Sequence, residues 1–115
     1  MPEYAALDKD TIKNRIMPYL SLAKRGLHPG EMIKKELKTR GITQKQLADE
    51  TAIPSSILNA ILNEKSAVTT EYALLLEAAL GIDADLWLRL QSDYNKQMLK
   101  SNPIFMERLK TLEKL

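Results

Sequence analysis

Two stretches decide how this chain is read: Ile42-Thr43-Gln44-Lys45-Gln46-Leu47-Ala48, and Ile53-Pro54-Ser55-Ser56-Ile57-Leu58-Asn59-Ala60-Ile61-Leu62-Asn63. Thr43 and Gln46 stand at capping-box spacing. The Thr43 hydroxyl can accept from the amide three residues on, and the Gln46 side chain can reach back to the Thr43 amide. Ile42 and Leu47 occupy the two positions of a hydrophobic staple across the same helix start. The spacing predicts a short helix ending near Thr51. A turn of a few residues follows, then a second helix over 55–63. Leu58, Ile61 and Leu62 recur there at helical spacing and should be core. The face left over carries Ser55, Ser56, Asn59 and Asn63, with Ile57 and Ala60 between them. It is uncharged and rich in amide and hydroxyl groups.

Working outward, helix signals continue in both directions. His28-Pro29-Gly30-Glu31 opens a helix before the pair, with Pro29 at the first helical position, where its missing N–H is harmless. Glu31 lies near the positive end of the helix dipole. Ile33 and Leu37 form an apolar pair on one side, and Lys34, Lys35, Lys38 and Arg40 make the other side basic. Gly41 is placed to end that helix, and Gly81 to end a later one. The later helix starts after Val68, with Thr69 as cap and Glu71 in its first turn. Leu76 and Leu80 run along its inner face. Asp83 caps the next, where Ile82 and Trp87 form a second staple. Leu86, Leu90, Tyr94 and Met98 extend it as a stripe of core or dimer seam. Asn102-Pro103 starts a last helix with Phe105, Leu109 and Leu112 on one stripe, packed within the chain or between subunits. Over 1–27, Asp8 could cap a helix bearing Ile12 and Ile16, which Pro18 must break or kink. Strand signals are absent. The expected architecture is all-α. An N-terminal extension of short helices occupies 1–27, a five-helix domain 28–98, and a C-terminal helix 99–115.

Composition narrows the function classes. The chain has 115 residues, 44% hydrophobic and 28% charged, which suits one globular domain. It has no cysteine and one histidine. A disulfide scaffold, a zinc ribbon and a thiol nucleophile are therefore excluded, and no nucleophile–base pair or metal cluster can be assembled. No enzyme activity, metal or cofactor is expected, and His28 reads as a helix-start residue. No run of apolar residues is long enough to cross a membrane. The N-terminus lacks the basic start and apolar run of a signal peptide, so a cytoplasmic protein is expected. The net charge of +2 conceals a division. Residues 9–45 hold ten Lys/Arg against three Asp/Glu, and residues 49–93 hold two against eight. Such asymmetry suggests one side suited to a polyanion and a different opposite side.

Two short helices joined by a tight turn inside a five-helix body form a helix-turn-helix. In that geometry the first helix spans the phosphate backbone and the second lies in the major groove. The second helix fits chemically. Asn and Gln can pair bidentately with adenine, and Ser can bond either base type. Ile57 or Ala60 could touch a thymine methyl group. Gln44 would lie near the same groove edge. Lys45 and Lys65 could contact phosphates, adding affinity blind to sequence. A polar helix face alone is often only a solvated face. The DNA reading rests on the joint arrangement of capping box, short helix, tight turn and charge-free polar helix.

The runs Leu27-His28-Pro29-Gly30-Glu31 and Gly41-Ile42-Thr43-Gln44-Lys45-Gln46-Leu47-Ala48 resemble the HigA antitoxins, within the phage-repressor-like (XRE) helix-turn-helix superfamily. The resemblance continues through Ile61-Leu62-Asn63-Glu64-Lys65, Val68-Thr69 and Ala78-Ala79-Leu80-Gly81. It closes on Asp85-Leu86-Trp87-Leu88-Arg89-Leu90-Gln91 and Tyr94, covering about residues 27–98. The Thr-Gln-x-x-Leu-Ala piece belongs to the whole superfamily, whereas the His-Pro-Gly-Glu opening with Trp-Leu-x-Leu-Gln is much more specific. The resemblance implies a bacterial antitoxin encoded beside a small mRNA-cleaving toxin, HigB. It implies a homodimer that neutralises the toxin and represses its own operon through a palindromic operator in double-stranded DNA. By position, the family's groove-reading residues fall on Gln44, Ser55, Ser56, Asn59 and Asn63. Two positions depart from the family. Glu64 stands where Gly is usual, which strains the turn and puts an acid near phosphate. Pro54 stands where a Ser cap is common, so one capping bond is lost. Two other readings stay open: a stand-alone phage-type regulator without a toxin, and a toxin-binding module with little DNA binding. The acidic helices after residue 68 should sit away from DNA, where they could face a basic toxin.

Overall fold

The computed structural model describes residues 26–115, and the short helices expected around Asp8, Ile12, Ile16 and Pro18 lie outside the described residues. Six helices follow one another: α1 (Pro29–Arg40), α2 (Gln44–Thr51), α3 (Ser55–Leu62), α4 (Thr70–Leu80), α5 (Ala84–Lys100) and α6 (Pro103–Thr111). No strand occurs among the described residues. The helix starts are those the capping residues predict. Thr43 Oγ1 accepts from the Gln46 amide at 3.0 Å, and Gln46 Oε1 accepts from the Thr43 amide at 2.7 Å, closing the capping box. Thr69, Asp83 and Asn102 each accept from an amide in the first turn of the following helix. At α1 the cap is the His28 imidazole, whose Nδ1 accepts from the Gly30 amide at 2.9 Å.

Helix ends are equally specific. Gly41 and Gly81 adopt left-handed φ values of 66° and 70°. At Gly41 the chain makes both bonds of a Schellman motif, Gly41 to the Lys38 carbonyl and Ile42 to the Leu37 carbonyl. Arg40 then binds two helix ends together. Its guanidinium pairs with Glu36 at 3.0 Å and donates to the Leu80 carbonyl, at the C-terminus of α4, at 2.6 Å. A cation there also complements the negative end of the α4 dipole.

The core unites Met32, Ile33 and Leu37 of α1, Leu47 and Ala48 of α2, and Leu58, Ile61 and Leu62 of α3 with Ala73, Leu76, Leu80, Leu86, Trp87 and Leu90 of α4 and α5. α1 and α2 pack on α3, α2 also on α4, and α4 on α5. Trp87 is fully buried, and its Nε1–H donates to the Ile82 carbonyl at 3.1 Å, so its one polar atom is satisfied. Buried Gln91 accepts from the Val68 amide at 2.8 Å and donates to Asn95 at 3.0 Å, tying α5 to the segment between α3 and α4.

The α5 stripe divides. Leu86 and Leu90 are buried, Tyr94 is half-buried, and Met98 is exposed. The cause is length. α5 has 17 residues and α4 has 11, so the far end of α5 outruns the body that covers its start. α6 packs back on that end through half-buried Phe105 and Met106, while Leu109 and Leu112 of its expected stripe remain exposed.

Candidate nucleic-acid interface

α3 is presented by its two ends. At its start, the α2–α3 turn places Ala52 at φ 60°. Thr51 stabilises this turn, its hydroxyl donating to the Leu47 carbonyl at 2.8 Å and accepting from the Ile53 amide at 3.2 Å. Ile53 is buried, anchoring the turn to the core. Pro54 occupies the cap position and offers no side-chain bond, leaving the first amides of α3 unpaired by a side chain. At the far end, Glu64 at φ 61° completes a Schellman motif, with Glu64 bonded to the Ile61 carbonyl and Lys65 to the Ala60 carbonyl. Two non-glycine residues in left-handed conformation thus bracket the helix. Each carries a strain of about 1–2 kcal/mol.

α3 lies close to α1. A Cβ on Gly30 would stand 2.2 Å from the Ile61 carbonyl oxygen, so only glycine allows this approach. His28 completes the junction. It is buried, stands edge-on to Tyr94 of α5 with ring centroids 4.7 Å apart, and interacts with the Ser66 backbone beyond α3. Burial pushes its imidazole below the ordinary histidine range, opposed by Glu64, the Ser66 backbone and Glu31. With Nδ1 accepting from Gly30, the ring is held neutral as a structural clasp.

The residues singled out from the sequence fall as follows. Ser55, Ser56, Asn59 and Asn63 are exposed, while Ile57 and Ala60 are half-buried, Ile57 against the core edge. Gln44, at the first turn of α2, joins Asn59 in the middle of α3 through a hydrogen bond from Nε2 to Oδ1 at 3.2 Å. Exposed Lys45 pairs with Asp49 at 3.1 Å one turn along α2. Lys65 is exposed just past the end of α3. The structure therefore brings Gln44 onto the α3 surface, although 15 residues separate it from Asn59. The sequence reading missed the positions that hold this surface in place. Thr51, Ala52 and Arg40 carry no motif that marks them, and the His-Pro-Gly-Glu opening does not reveal which backbone Gly30 packs against. Their roles depend on which backbone atoms come near in the fold.

The arrangement offers amide and hydroxyl groups, with no charge on α3 itself, beside cations on the neighbouring turns. That is the chemistry of base-edge reading flanked by phosphate contact. Among the described residues no group of side chains could hold a metal ion, and no helix is long and apolar enough to cross a membrane.

Known proteins share this architecture. The Helix-turn-helix family matches residues 33–87, from α1 into α5. Virulence-associated protein I of Dichelobacter nodosus is 34% identical over 77 residues, covering 66% of this chain and 71% of that protein. Virulence-associated protein A of the same organism is 33% identical over 88 residues, covering 75% and 84%. Among solved structures, an addiction module antidote protein of the HigA family from Coxiella burnetii is 34% identical. It superposes with a TM-score of 0.68 over 77% of this chain and 97% of its own. The antitoxin GraA is 27% identical, with a TM-score of 0.71 over 77% and 96%. The fold, the paired helices α2 and α3 and these relatives agree: the chain belongs to the Helix-turn-helix family, with HigA-family antidotes as its structural neighbours.

Proposed function

We propose that this protein is the antitoxin of a toxin–antitoxin pair and the repressor of its own operon. In this reading a homodimer binds a palindromic operator, one α3 in each half-site. Helix-turn-helix dimers space their half-sites about 34 Å apart or a multiple of that distance. Gln44, Ser55, Ser56, Asn59 and Asn63 read base edges, Ile57 and Ala60 touch thymine methyl groups, and Lys45 and Lys65 hold phosphates. The observation that carries this reading is the Gln44–Asn59 hydrogen bond, which joins α2 and α3 into one polar surface. The toxin half of the reading rests on the likeness to HigA-family antidotes and GraA. The partner is a HigB-like mRNA-cleaving toxin in the bacterial cytoplasm. Exposed Glu71, Asp83 and Asp85 on and beside α4 and α5 suit a basic toxin.

Two measurements on the full chain test it. A gel shift with the DNA upstream of its own reading frame should show saturable binding that resists non-specific competitor. Co-expression with the small basic protein encoded beside it should restore growth of cells that the small protein arrests. Growth rescue without a shift favours a toxin-binding module. A shift with no toxic neighbour favours a stand-alone regulator.

A further inference from the structure

His28 is bonded on two sides. Its Nδ1 accepts from the Gly30 amide at 2.9 Å, at the start of α1. The ring is also hydrogen-bonded to the Ser66 backbone, in the segment that leaves α3. The Ser66 bond favours the protonated ring, which marks it as a bond the ring donates. The two bonds together need the neutral ring in one tautomer, with a bare Nδ1 to accept and the other nitrogen carrying the hydrogen. Protonation acts on them in opposite directions. An imidazolium carries a hydrogen on both nitrogens, so Nδ1 would turn a donor on the Gly30 donor and that bond is lost. The Ser66 bond becomes charge-assisted and strengthens. Among the described residues, the charged groups acting on the ring are Glu64 from the turn after α3 and Glu31 from the first turn of α1. The titratable group facing it from α5 is Tyr94, with ring centroids 4.7 Å apart.

The junction has no slack to absorb the change. The ring is buried, and Gly30 approaches α3 so closely that a Cβ there would stand 2.2 Å from the Ile61 carbonyl oxygen. A charged ring drawn to Ser66 and Glu64 therefore separates the exit of α3 from the start of α1. That exit carries Asn63 and Lys65, and its turn at Glu64 closes the Schellman end of α3. We propose that His28 is a positioning residue for the DNA-reading end of α3, and that its protonation uncouples α3 from α1 and releases the operator. The proposal rests on the reading of α3 as the operator-contacting helix. The proton then acts as a regulatory ligand, and repression lifts as the surroundings acidify. The sign separates this device from ordinary electrostatics. A phosphate chain favours the charged form of a nearby base, so indiscriminate DNA binding takes up protons and strengthens in acid. Binding that requires neutral His28 expels its proton and weakens in acid.

The test is fluorescence anisotropy of the full chain from pH 7.5 to pH 5.0, on a duplex of the DNA upstream of its reading frame and on a scrambled duplex. Circular dichroism at each pH is the folding control. Affinity for the upstream duplex should fall by about two- to tenfold over this range, as one linked proton allows, while affinity for the scrambled duplex holds or rises. His28→Asn keeps a capping acceptor that does not titrate, and should flatten the fall. Glu64→Gln removes the larger of the two carboxylate influences that favour the imidazolium, so the fall should begin at lower pH. Calorimetry at pH 6.0 in two buffers of different protonation enthalpy should record net proton release on binding the upstream duplex. If His28→Asn does not fold, the direction of the Glu64→Gln displacement and the proton count decide. An undiminished fall in His28→Asn overturns the proposal, as do an unmoved fall in Glu64→Gln and net proton uptake. Affinity for the upstream duplex that is unchanged at pH 5.0 overturns the proton coupling and leaves α3 as the reader. No preference for the upstream duplex at pH 7.5 overturns the operator reading itself, and the proposal with it.

Discussion

Gln44 Nε2 donates to Asn59 Oδ1 at 3.2 Å, joining the first turn of α2 to the middle of α3. In the proposed reading Asn59 contacts a base, and a side chain already held by a second one has fewer rotamers to lose on meeting DNA. The two residues should therefore act as one unit. Asn59→Ala and Gln44→Ala should each cost about 1–3 kcal/mol of discrimination for the operator. The double variant should lose less than the sum of the two. Fluorescence anisotropy on the operator and a scrambled duplex measures all three. Strict additivity would disprove the coupling.

Lys45 should behave differently. It is exposed, and its Asp49 partner is one turn away on the same helix. A phosphate contact adds affinity without regard to sequence, so Lys45→Ala should weaken operator and scrambled DNA alike. The slope of log affinity against log salt should fall by about one unit. Selective loss on the operator alone would assign Lys45 to base reading instead.

Ala52 and Glu64 hold left-handed backbone at the two ends of α3. Glycine there relieves about 1–2 kcal/mol of strain and costs about 0.4–1 kcal/mol in the freedom of the unfolded chain. Ala52→Gly and Glu64→Gly should each stabilise the protein by roughly 0.5–1 kcal/mol, raising Tm by several degrees in a thermal melt. Glu64→Gly should also tighten DNA binding, because it removes a carboxylate beside Lys65. Weaker binding would show that Glu64 does not face phosphate.

Gly30 is constrained by space rather than by backbone angle. A methyl group there would meet the Ile61 carbonyl at 2.2 Å, and that atom belongs to helical backbone that cannot swing aside. Gly30→Ala should destabilise by about 1–3 kcal/mol or more in urea unfolding, by pushing α1 off α3. It should also blunt DNA binding by tilting α3. At Gly41 nothing lies within 4 Å of a new Cβ, so Gly41→Ala should show only the left-handed strain and leave binding intact.

His28 makes stability depend on pH. Burial lowers the folded imidazole below its ordinary range, so the unfolded chain binds a proton more readily than the folded one. Stability is complete above the unfolded value of about 6.5 and falls as the pH drops from there toward the lower folded value. Urea midpoints at pH 7.5 and 5.5 should show this decline. His28→Asn, which keeps a capping acceptor, should flatten it. An undiminished decline in that variant would place the titration on another group.

Much of this protein is legible in its sequence because short-range chemistry carries it. Thr43 with Gln46, Thr69, Asp83 and Asn102 mark helix starts, and Gly41 and Gly81 mark ends, since a cap needs only a side chain and an amide a few residues apart. Ile42–Leu47 and Ile82–Trp87 fix how two helices enter the core for the same reason. The polar face of Ser55, Ser56, Asn59 and Asn63 follows from helical period alone. The exposed end of Met98, Leu109 and Leu112 does not. A stripe reports that a face is apolar, while burial depends on whether another element is long enough to cover it.

The sequence by itself determined the six helices of the described residues, their caps, the paired α2 and α3, and the residues offered at the surface of α3. Tertiary structure alone decided what holds that surface in place. Gln44 reaches Asn59, Gly30 lets α1 touch Ile61, Arg40 closes on the Leu80 carbonyl, and His28 lies against Tyr94. Each of these joins residues distant in the chain, and no local period or capping rule encodes such a distance. They arise when the core closes and brings particular backbone carbonyls and amides within reach of particular side chains.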